Sequence, residues 1–182
     1  MLRDTIVPIF LGLFFLSNPT QGEYSKGFVN EKNVECLAMN MYHEARNQGT
    51  AGQLAVTAVV LNRVNDKRFP NTICGVIHQG PTRESWKTRQ YSNLTAQERK
   101  YYPVKNRCQF SWYCDGKSDK PYDRKQFEYF KRLSRSLLEK ELDFIDITDG
   151  AVFYHADYVT PSWAKSKKRT IEIQDHIFYR WK

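Results

Sequence analysis

The sequence is poor in metal-binding patterns. It contains four histidines and four cysteines in 182 residues, and no two cysteines have the C-x-x-C spacing typical of structural zinc sites. His43 and Glu44 form an H-E pair, but position 47 is asparagine, so the H-E-x-x-H motif of zinc proteases is absent. We therefore expect the protein to use neither a metal ion nor another cofactor.

The sequence also lacks an apolar run long enough for a membrane-spanning helix. Residues 5–17 form a short apolar segment, whereas a spanning helix needs about 20 residues. Arg3 precedes this segment and a polar stretch follows it, an arrangement typical of a secretory signal. We predict a signal peptide at residues 1–22, cleaved or retained as an anchor, and a polar lead-in at residues 23–32. The rest of the protein would then be exported to the periplasm or the extracellular space, with only transient membrane contact.

Acidic residues are outnumbered by basic ones. The chain has 28 Lys and Arg against 20 Asp and Glu, which gives a net charge of +8. This balance suits an anionic partner, and it does not discriminate among nucleic acid, a membrane surface and an acidic cell-wall polymer. The sequence shows no nucleic-acid motif, internal repeat or low-complexity tract. With 41% hydrophobic residues it should fold as one domain.

The four cysteines fit an exported protein. An even number of cysteines in such a chain indicates disulfide bonds. Their spacing leaves the pairing open. The candidates are Cys36, Cys74, Cys108 and Cys114.

Hydrophobic periodicity indicates several helices and a few strands. Apolar residues recur at three- and four-residue steps after Asn33, which is placed to cap the first helix. The predicted helices span residues 33–47, 50–64, 96–102 and 123–142. Alternating patterns favour strands within residues 151–159 and 171–181. The expected fold class is α+β and α-rich, a single domain with a few short strands.

Glu44 is the most informative charged residue of the first predicted helix. At about 100° per residue, it falls at the edge of the apolar stripe, whereas His43 points away from the centre of that stripe. A carboxyl group at the lip of a cleft is partly desolvated, which raises its pKa and lets it donate a proton near neutral pH. On the pattern alone, a solvated surface charge is the competing interpretation.

Five segments, in the same order along the chain, resemble blocks of the SleB-type cell-wall hydrolase family, whose founding member is a spore cortex-lytic enzyme. They are ECLAMNMYHEARNQGTAGQLAVTAVVLNRV, RFPNTICGVIHQ, CQFSWYCDG, GAVFYHADYVTPSWA and HIFY. The first segment contains the E-A-R signature at residues 44–46. The resemblance extends over about residues 33–180 and identifies residues 33–182 as a catalytic domain of this type.

The resemblance implies a lysozyme-like fold and an enzyme that cleaves the glycan strands of peptidoglycan. It assigns the role of catalytic acid to Glu44. The family pattern often continues as E-A-R-G-E, with a second carboxylate four residues after the first, and here that position is Gln48. If the reaction needs a second carboxylate, Asp115 and Asp157 are the candidates.

A single carboxylate is enough for a lytic transglycosylase, whereas most glycosidases that use water need two. In the lytic reaction the acid protonates the oxygen between N-acetylmuramic acid and N-acetylglucosamine. It then accepts a proton from the C6 hydroxyl of the same muramic sugar. We therefore predict this activity, with an N-acetylmuramoyl-L-alanine amidase or a non-catalytic cell-wall-binding protein as the alternatives. A host enzyme and a phage endolysin are both compatible with the sequence.

A cleft for a glycan needs polar groups for the sugar substituents and apolar faces for the rings. In an extended segment, Gln109 and Ser111 would share the cleft face, and Phe110 and Trp112 would enter the core. The predicted substrate-binding residues are Gln109, Ser111, Tyr154 and Trp163. We expect a monomer that binds peptidoglycan and no nucleic acid.

Overall fold

The computed structural model describes residues 29–139 and 145–182. The predicted signal peptide and most of the lead-in lie outside the described residues. Helices are α1 (Glu31–Ala45), α2 (Thr50–Asn65), α3 (Ile73–Ile77), α4 (Trp86–Arg89) and α5 (Arg124–Leu138). Strands are β1 (Thr82–Glu84), β2 (Tyr101–Pro103), β3 (Phe153–Ala156), β4 (Lys168–Ile173) and β5 (His176–Arg180). Two short 3₁₀ helices span Ser111–Cys114 and Ser162–Ser166.

Helix α1 begins two residues earlier than predicted, and its cap is Asn30. The Asn30 side chain accepts a hydrogen bond of 2.8 Å from the backbone N–H of Asn33, so Asn33 is the third helical residue and not the cap. The apolar face is fully covered by α2, α3 and α5. Its buried residues include Val34, Leu37, Ala38, Met41 and Tyr42.

The prediction for α2 is confirmed to within one residue at its end, and α5 begins one residue later than predicted. Asp123 caps α5 by accepting a 2.9 Å hydrogen bond from the backbone N–H of Gln126. The helix ends at Leu138 and not at Leu142 as predicted, and residues 140–144 lie outside the described part of the chain. Phe130 and Leu137 bury its apolar side against α1.

Strands β3, β5 and β4 form an antiparallel sheet in that spatial order. The predicted extended segment at residues 171–181 is in fact a hairpin, because the chain reverses at Gln174, whose φ is +52°. The Gln174 side chain accepts a 3.0 Å hydrogen bond from the backbone N–H of Gly52, at the start of α2. A side chain at position 52 would collide with Gln174, so the glycine lets the hairpin approach the helix layer.

The predicted helix at residues 96–102 is wrong. Strand β2 occupies Tyr101–Pro103 and pairs with β1. The carboxylate of Glu98 accepts hydrogen bonds from the backbone and hydroxyl of Thr95, which closes a turn in place of a helical start. Adjacent tyrosines favour a strand, and Pro103 ends it, so local propensity also opposes a helix here.

Two disulfides join the four cysteines. Cys36 on α1 pairs with Cys74 on α3, and Cys108 pairs with Cys114 across the first 3₁₀ helix. The Cα atoms are 5.5 Å and 6.1 Å apart, within the usual range for a disulfide. The structure thus selects one of the pairings that the spacing left open.

The described elements confirm the predicted α-rich α+β class. Helices α1, α2, α3 and α5 enclose the larger core, and the three-stranded sheet packs a smaller apolar cluster against α2 through Phe178. Within residues 29–139 and 145–182, no helix is long and apolar enough to cross a membrane.

The two disulfides should differ in their contribution to stability. Cys36–Cys74 links residues 38 apart and Cys108–Cys114 residues six apart, and loop-closure entropy predicts contributions of about 4 and about 2 kcal/mol respectively. Urea unfolding of the Cys36→Ala/Cys74→Ala and Cys108→Ala/Cys114→Ala variants measures both. Equal losses, or a larger loss for the second pair, would contradict this assignment.

Candidate active site

A cleft of about 730 Å³ lies where the helices meet the three-stranded sheet. Its wall combines the last turn of α1, the end of α2, the first 3₁₀ helix, the loop at residues 115–122 and strand β3. The volume lies within the range of small-molecule and sugar sites. Stretches of the chain that are distant in sequence therefore converge on one space.

Glu44 lies in this cleft, in the last turn of α1 and half-buried. The hydroxyl of Tyr154 on β3 donates a 2.8 Å hydrogen bond to Glu44 Oε2. Burial raises the pKa of Glu44 above its ordinary value, and the Tyr154 hydrogen bond and the positive charge of Arg63 oppose this rise only in part. The carboxyl group therefore keeps its proton to a higher pH than a surface glutamate does.

Tyr154 acts on Glu44 as a neutral donor. Burial and the nearby carboxylate raise the pKa of Tyr154 well above its ordinary value, so the phenol keeps its proton. Its ring packs against His176 and Phe178 on β5, which fixes the direction of the hydroxyl. The predicted position of Tyr154 in the cleft is thus found in the structure.

Arg63 is a cleft residue that the sequence did not reveal. Arg63 lies in the last turn of α2, is only 4% exposed and lines the cleft. Its Nε donates a 2.8 Å hydrogen bond to the carbonyl of Val152, and its charged end lies over the rings of Phe69 and Phe110. Its Nη1 has no hydrogen-bond partner among the described residues. Only the fold shows that Arg63 lies near Glu44, because α2 must first pack beside the end of α1.

Another part of the cleft wall is built around His43. Its ring stacks on Trp112 with ring centres 4.6 Å apart, and its Nε2 lies 3.0 Å from the backbone oxygen of Asp119. Trp112 in turn donates from its indole N–H to Asn40. These contacts hold the loop at residues 115–122 against the end of α1.

Arg46, the last residue of the E-A-R signature, joins α1 to the start of α5. Its guanidinium lies 5.2 Å from the ring centre of Tyr42 and 5.1 Å from that of Tyr122. Its carbonyl accepts a hydrogen bond from the side chain of Gln126. Arg46 therefore shapes the cleft wall beside Glu44.

The structure brings most of the predicted site residues together. Gln109, Ser111 and Tyr154 line the cleft. The predicted alternation along residues 109–112 is found, because Gln109 and Ser111 are exposed and Phe110 and Trp112 are buried in the larger core. The segment is not extended, however, since a 3₁₀ helix begins at Ser111, and the two buried rings also touch the cleft.

Trp163 lies apart from the other predicted site residues. Its ring packs against Phe153, His155 and Tyr179, so it supports the sheet outside the residues that line the cleft. The second 3₁₀ helix, which carries Trp163, places the ring there.

Two further carboxylates line the cleft, Asp115 and Asp119. Asp115 was a sequence-derived candidate for a second acid, and Asp119 was not. Burial raises the pKa of Asp119, with His43 lowering it and Asp115 raising it. Asp157, the other candidate, is exposed beyond β3 and outside the cleft lining.

Gln48, which replaces the second family glutamate, touches a smaller cavity of about 220 Å³ that shares Glu44 with the main cleft. Its side-chain amide donates a 2.7 Å hydrogen bond to Asp175 Oδ2, in the β4–β5 turn. A glutamate at position 48 would face Asp175 with a like charge. The neutral amide of Gln48 avoids this repulsion and donates a hydrogen bond to Asp175 instead.

Metal-binding side chains are not clustered in the part of the chain that the structure describes. Within residues 29–139 and 145–182, no group of three or more His, Cys, Asp or Glu side chains is arranged to hold a metal ion.

The fold and the cleft define a protein that holds a partly buried glutamate, Glu44, at the junction of a helical layer and a small sheet. A model of the Cell Wall Hydrolase family matches residues 47–179. The chain belongs to this family, the SleB-type cell-wall hydrolases. The matched range begins just after Glu44, so the assignment of Glu44 rests on the E-A-R resemblance and on the geometry of the cleft.

Individual relatives agree with the family. The chain is 45% identical over 53 residues to the spore cortex-lytic enzyme of Bacillus subtilis strain 168, and 42% identical over 50 residues to that of Bacillus cereus. These matches cover 29% and 28% of this chain, and only 17% and 19% of the relatives.

A solved structure supports the fold. The catalytic domain of the germination-specific lytic transglycosylase SleB from Bacillus anthracis superposes with a TM-score of 0.51 at 24% sequence identity. The match covers 85% of this chain and 98% of that domain. The predicted lysozyme-like fold is therefore confirmed.

Replacing Glu44 should stabilise the fold at neutral pH. Because the folded state raises the pKa of Glu44 above its ordinary value of 4.5, stability falls as pH rises from that value through the folded-state pKa. We expect Glu44→Gln to melt at a higher temperature than the parent at pH 7, with the difference vanishing below about pH 4. Thermal unfolding across pH 3.5–8 measures this, with Glu35→Gln, on the exposed side of α1, as the matched control. A Glu44→Gln variant that is no more stable at pH 7 would contradict the buried-acid assignment.

Proposed function

We propose that this protein is a lytic transglycosylase that cleaves the glycan strands of peptidoglycan with Glu44 as its acid and base. The observation that carries the proposal is the partly buried Glu44 carboxyl, hydrogen-bonded by Tyr154, in a cleft large enough for sugar rings. Family membership and the fold point to the same substrate class.

In the first step Glu44 protonates the oxygen that links N-acetylmuramic acid to N-acetylglucosamine, and the bond to the muramic C1 breaks. The N-acetylglucosamine end leaves with that proton. The positive charge that develops at C1 is stabilised by the acetamido group of the same sugar, as in other substrate-assisted glycosidases. Because its pKa is raised, Glu44 keeps its proton to a higher pH than an exposed glutamate does, which favours its role as the acid.

In the second step the deprotonated Glu44 accepts a proton from the C6 hydroxyl of the muramic sugar, and the oxygen closes on C1. The product carries a 1,6-anhydro ring, and no water is consumed. Tyr154 assists because its hydrogen bond stabilises the Glu44 carboxylate that exists between the two steps. The charge of Arg63 acts in the same direction.

The polar side chains of Gln109 and Ser111 are placed to hold sugar hydroxyl and acetamido groups, because both line the cleft and are exposed to solvent there. The neighbouring Trp112 also lines the cleft, and its ring is stacked on His43. We assign Tyr154 to the positioning of Glu44. Trp163 lies behind the sheet, and we do not include it among the sugar-binding residues.

A glycan-cleaving role in the wall is consistent with an exported protein. We propose that residues 1–22 direct export, that residues 33–182 form the catalytic domain and that the domain acts as a monomer outside the cytoplasm. The two disulfides of the described chain support this location, because such bonds persist in oxidising compartments.

The products released from purified peptidoglycan test the reaction. We expect the parent chain to release muropeptides with 1,6-anhydromuramic ends, and Glu44→Gln to lower the rate by about 10²–10⁴-fold, since the variant keeps the shape but cannot transfer a proton. Mass spectrometry of the soluble products measures both. Freed stem peptides would instead indicate an amidase, and an equally active variant would remove Glu44 from the reaction.

The carboxylates in the cleft provide the second half of this test. If the C6 hydroxyl is the nucleophile, Asp115→Asn and Asp119→Asn should still yield anhydro products. If water is the nucleophile, the parent should yield reducing-end sugars, and one of these variants should lose activity as Glu44→Gln does. Asp157→Asn, outside the cleft lining, is the matched control.

A further inference from the structure

A second surface of the protein, formed by residues that do not line the cleft, has the features of a binding site. Residues 80–108 leave the core after Ile77 and return to it at Phe110, and we call this segment the 80–108 excursion. It contains α4, β1 and β2. All of its residues are described by the structure, and none of them is buried. The excursion therefore adds no side chain to either apolar core.

The excursion is nevertheless ordered by polar contacts. The carbonyl of Lys100 accepts a 2.7 Å hydrogen bond from the backbone of Ser85, next to the paired strands β1 and β2. Arg99 forms a 2.7 Å ion pair with Glu84. These polar contacts hold the excursion in one shape without an apolar core, so its side chains face solvent in a defined arrangement.

The exposed side chains are aromatic to an unusual degree. Trp86 is 65% exposed, and three tyrosines of the excursion are 53–55% exposed. These tyrosines are Tyr91, Tyr101 and Tyr102. Tyrosine and tryptophan are the side chains most often used as binding anchors, because they offer large rigid surfaces at low entropic cost.

The excursion is also strongly basic. It carries seven basic and two acidic residues, a net charge of +5 in a chain whose net charge is +8. Both acids are engaged within the excursion, Glu84 with Arg99 and Glu98 with Thr95. The remaining six cations are exposed and have no ion-pair partner in the described structure. They are Arg83, Lys87, Arg89, Lys100, Lys105 and Arg107.

The neck of the excursion adjoins the catalytic cleft. The neck is the place where the two ends of the excursion meet. There the backbone N–H of Gln109 donates a hydrogen bond to the carbonyl of Gln79, and Gly80 lies too close to Cys108 to carry a side chain. The Cys108–Cys114 disulfide then joins the neck to the 3₁₀ helix that carries Ser111. The two ends of the excursion therefore lie next to the cleft wall.

We propose that the 80–108 excursion is a second binding surface for peptidoglycan, which holds the wall polymer while the cleft acts on it. This inference rests on the proposed function. Peptidoglycan presents sugar rings that pack on aromatic faces and stem-peptide carboxylates that pair with lysine and arginine, so one polymer satisfies both features. A lipid surface is a poorer fit, because the large exposed apolar side chains of the excursion are tyrosine and tryptophan, with no exposed leucine, isoleucine or phenylalanine.

Binding to purified insoluble peptidoglycan tests the proposal directly. The full-length Glu44→Gln chain is used, so that the wall is not degraded during cosedimentation. In that background we expect Trp86→Ser/Tyr101→Ser/Tyr102→Ser, and separately Arg83→Gln/Lys87→Gln/Lys100→Gln, to bind about tenfold more weakly. The matched control is Tyr129→Ser/Lys125→Gln/Arg132→Gln, which changes one exposed aromatic and two exposed cations on α5. Circular dichroism melting verifies that each variant is folded.

Equal binding by the parent and the excursion variants would overturn the proposal, as would tighter binding of the parent to anionic phospholipid vesicles or single-stranded DNA. Absence of measurable wall binding by the parent would overturn it as well. A cleavage assay distinguishes failure of this binding proposal from failure of the proposed glycosidase function. In chains with Glu44 intact, excursion variants should cleave soluble glycan fragments normally and insoluble wall slowly, whereas a protein without glycosidase activity would cleave neither.

Discussion

The hydrogen bond from Tyr154 to Glu44 is the contact on which the site depends, because it crosses the boundary between the helices and the sheet. Glu44 reaches the boundary from the last turn of α1, and Tyr154 reaches it from β3. Neither residue could define the site alone. Burial at the end of α1 raises the pKa of the Glu44 carboxyl group. The hydrogen bond from Tyr154 on β3 lowers this pKa in part, because it stabilises the charged carboxylate. A group used as both acid and base needs both influences.

Arg63 strengthens the same boundary from a third element. Its Nε holds the carbonyl of Val152, directly before β3, so the residue that places positive charge near Glu44 also fixes the strand that carries Tyr154. The guanidinium rests on Phe69 and Phe110, which replace the water that a buried cation loses. The contacts of Arg63 therefore both position Tyr154 and place positive charge near Glu44. At the far edge, the Gln48–Asp175 hydrogen bond ties the helix turn to the β4–β5 hairpin.

Sequence patterns predicted the three long helices and singled out Glu44. They did not predict the residues that distant segments of the chain bring into the cleft. The three long helices follow from their apolar periodicity, and Glu44 from its place at the edge of that stripe and from the E-A-R signature. The cleft roles of Arg63 and Asp119 could not be predicted, since each depends on a fold that brings α2 or the loop at residues 115–122 against α1. The predicted helix at residues 96–102 failed for a different reason. The excursion has no core to impose a helix, so the strand preference of Tyr101 and Tyr102 prevails.

The pKa of Glu44, followed by NMR of ¹³C-labelled glutamate side chains, is the most direct test of this account. The Glu44→Gln variant identifies the resonance. We predict a pKa above 4.5 in the parent, and a still higher pKa in Tyr154→Phe, because the hydrogen bond that favours the charged carboxylate is lost. A parent pKa at or below 4.5, or a pKa that falls in Tyr154→Phe, would contradict the claim that burial and Tyr154 together set the proton affinity of Glu44.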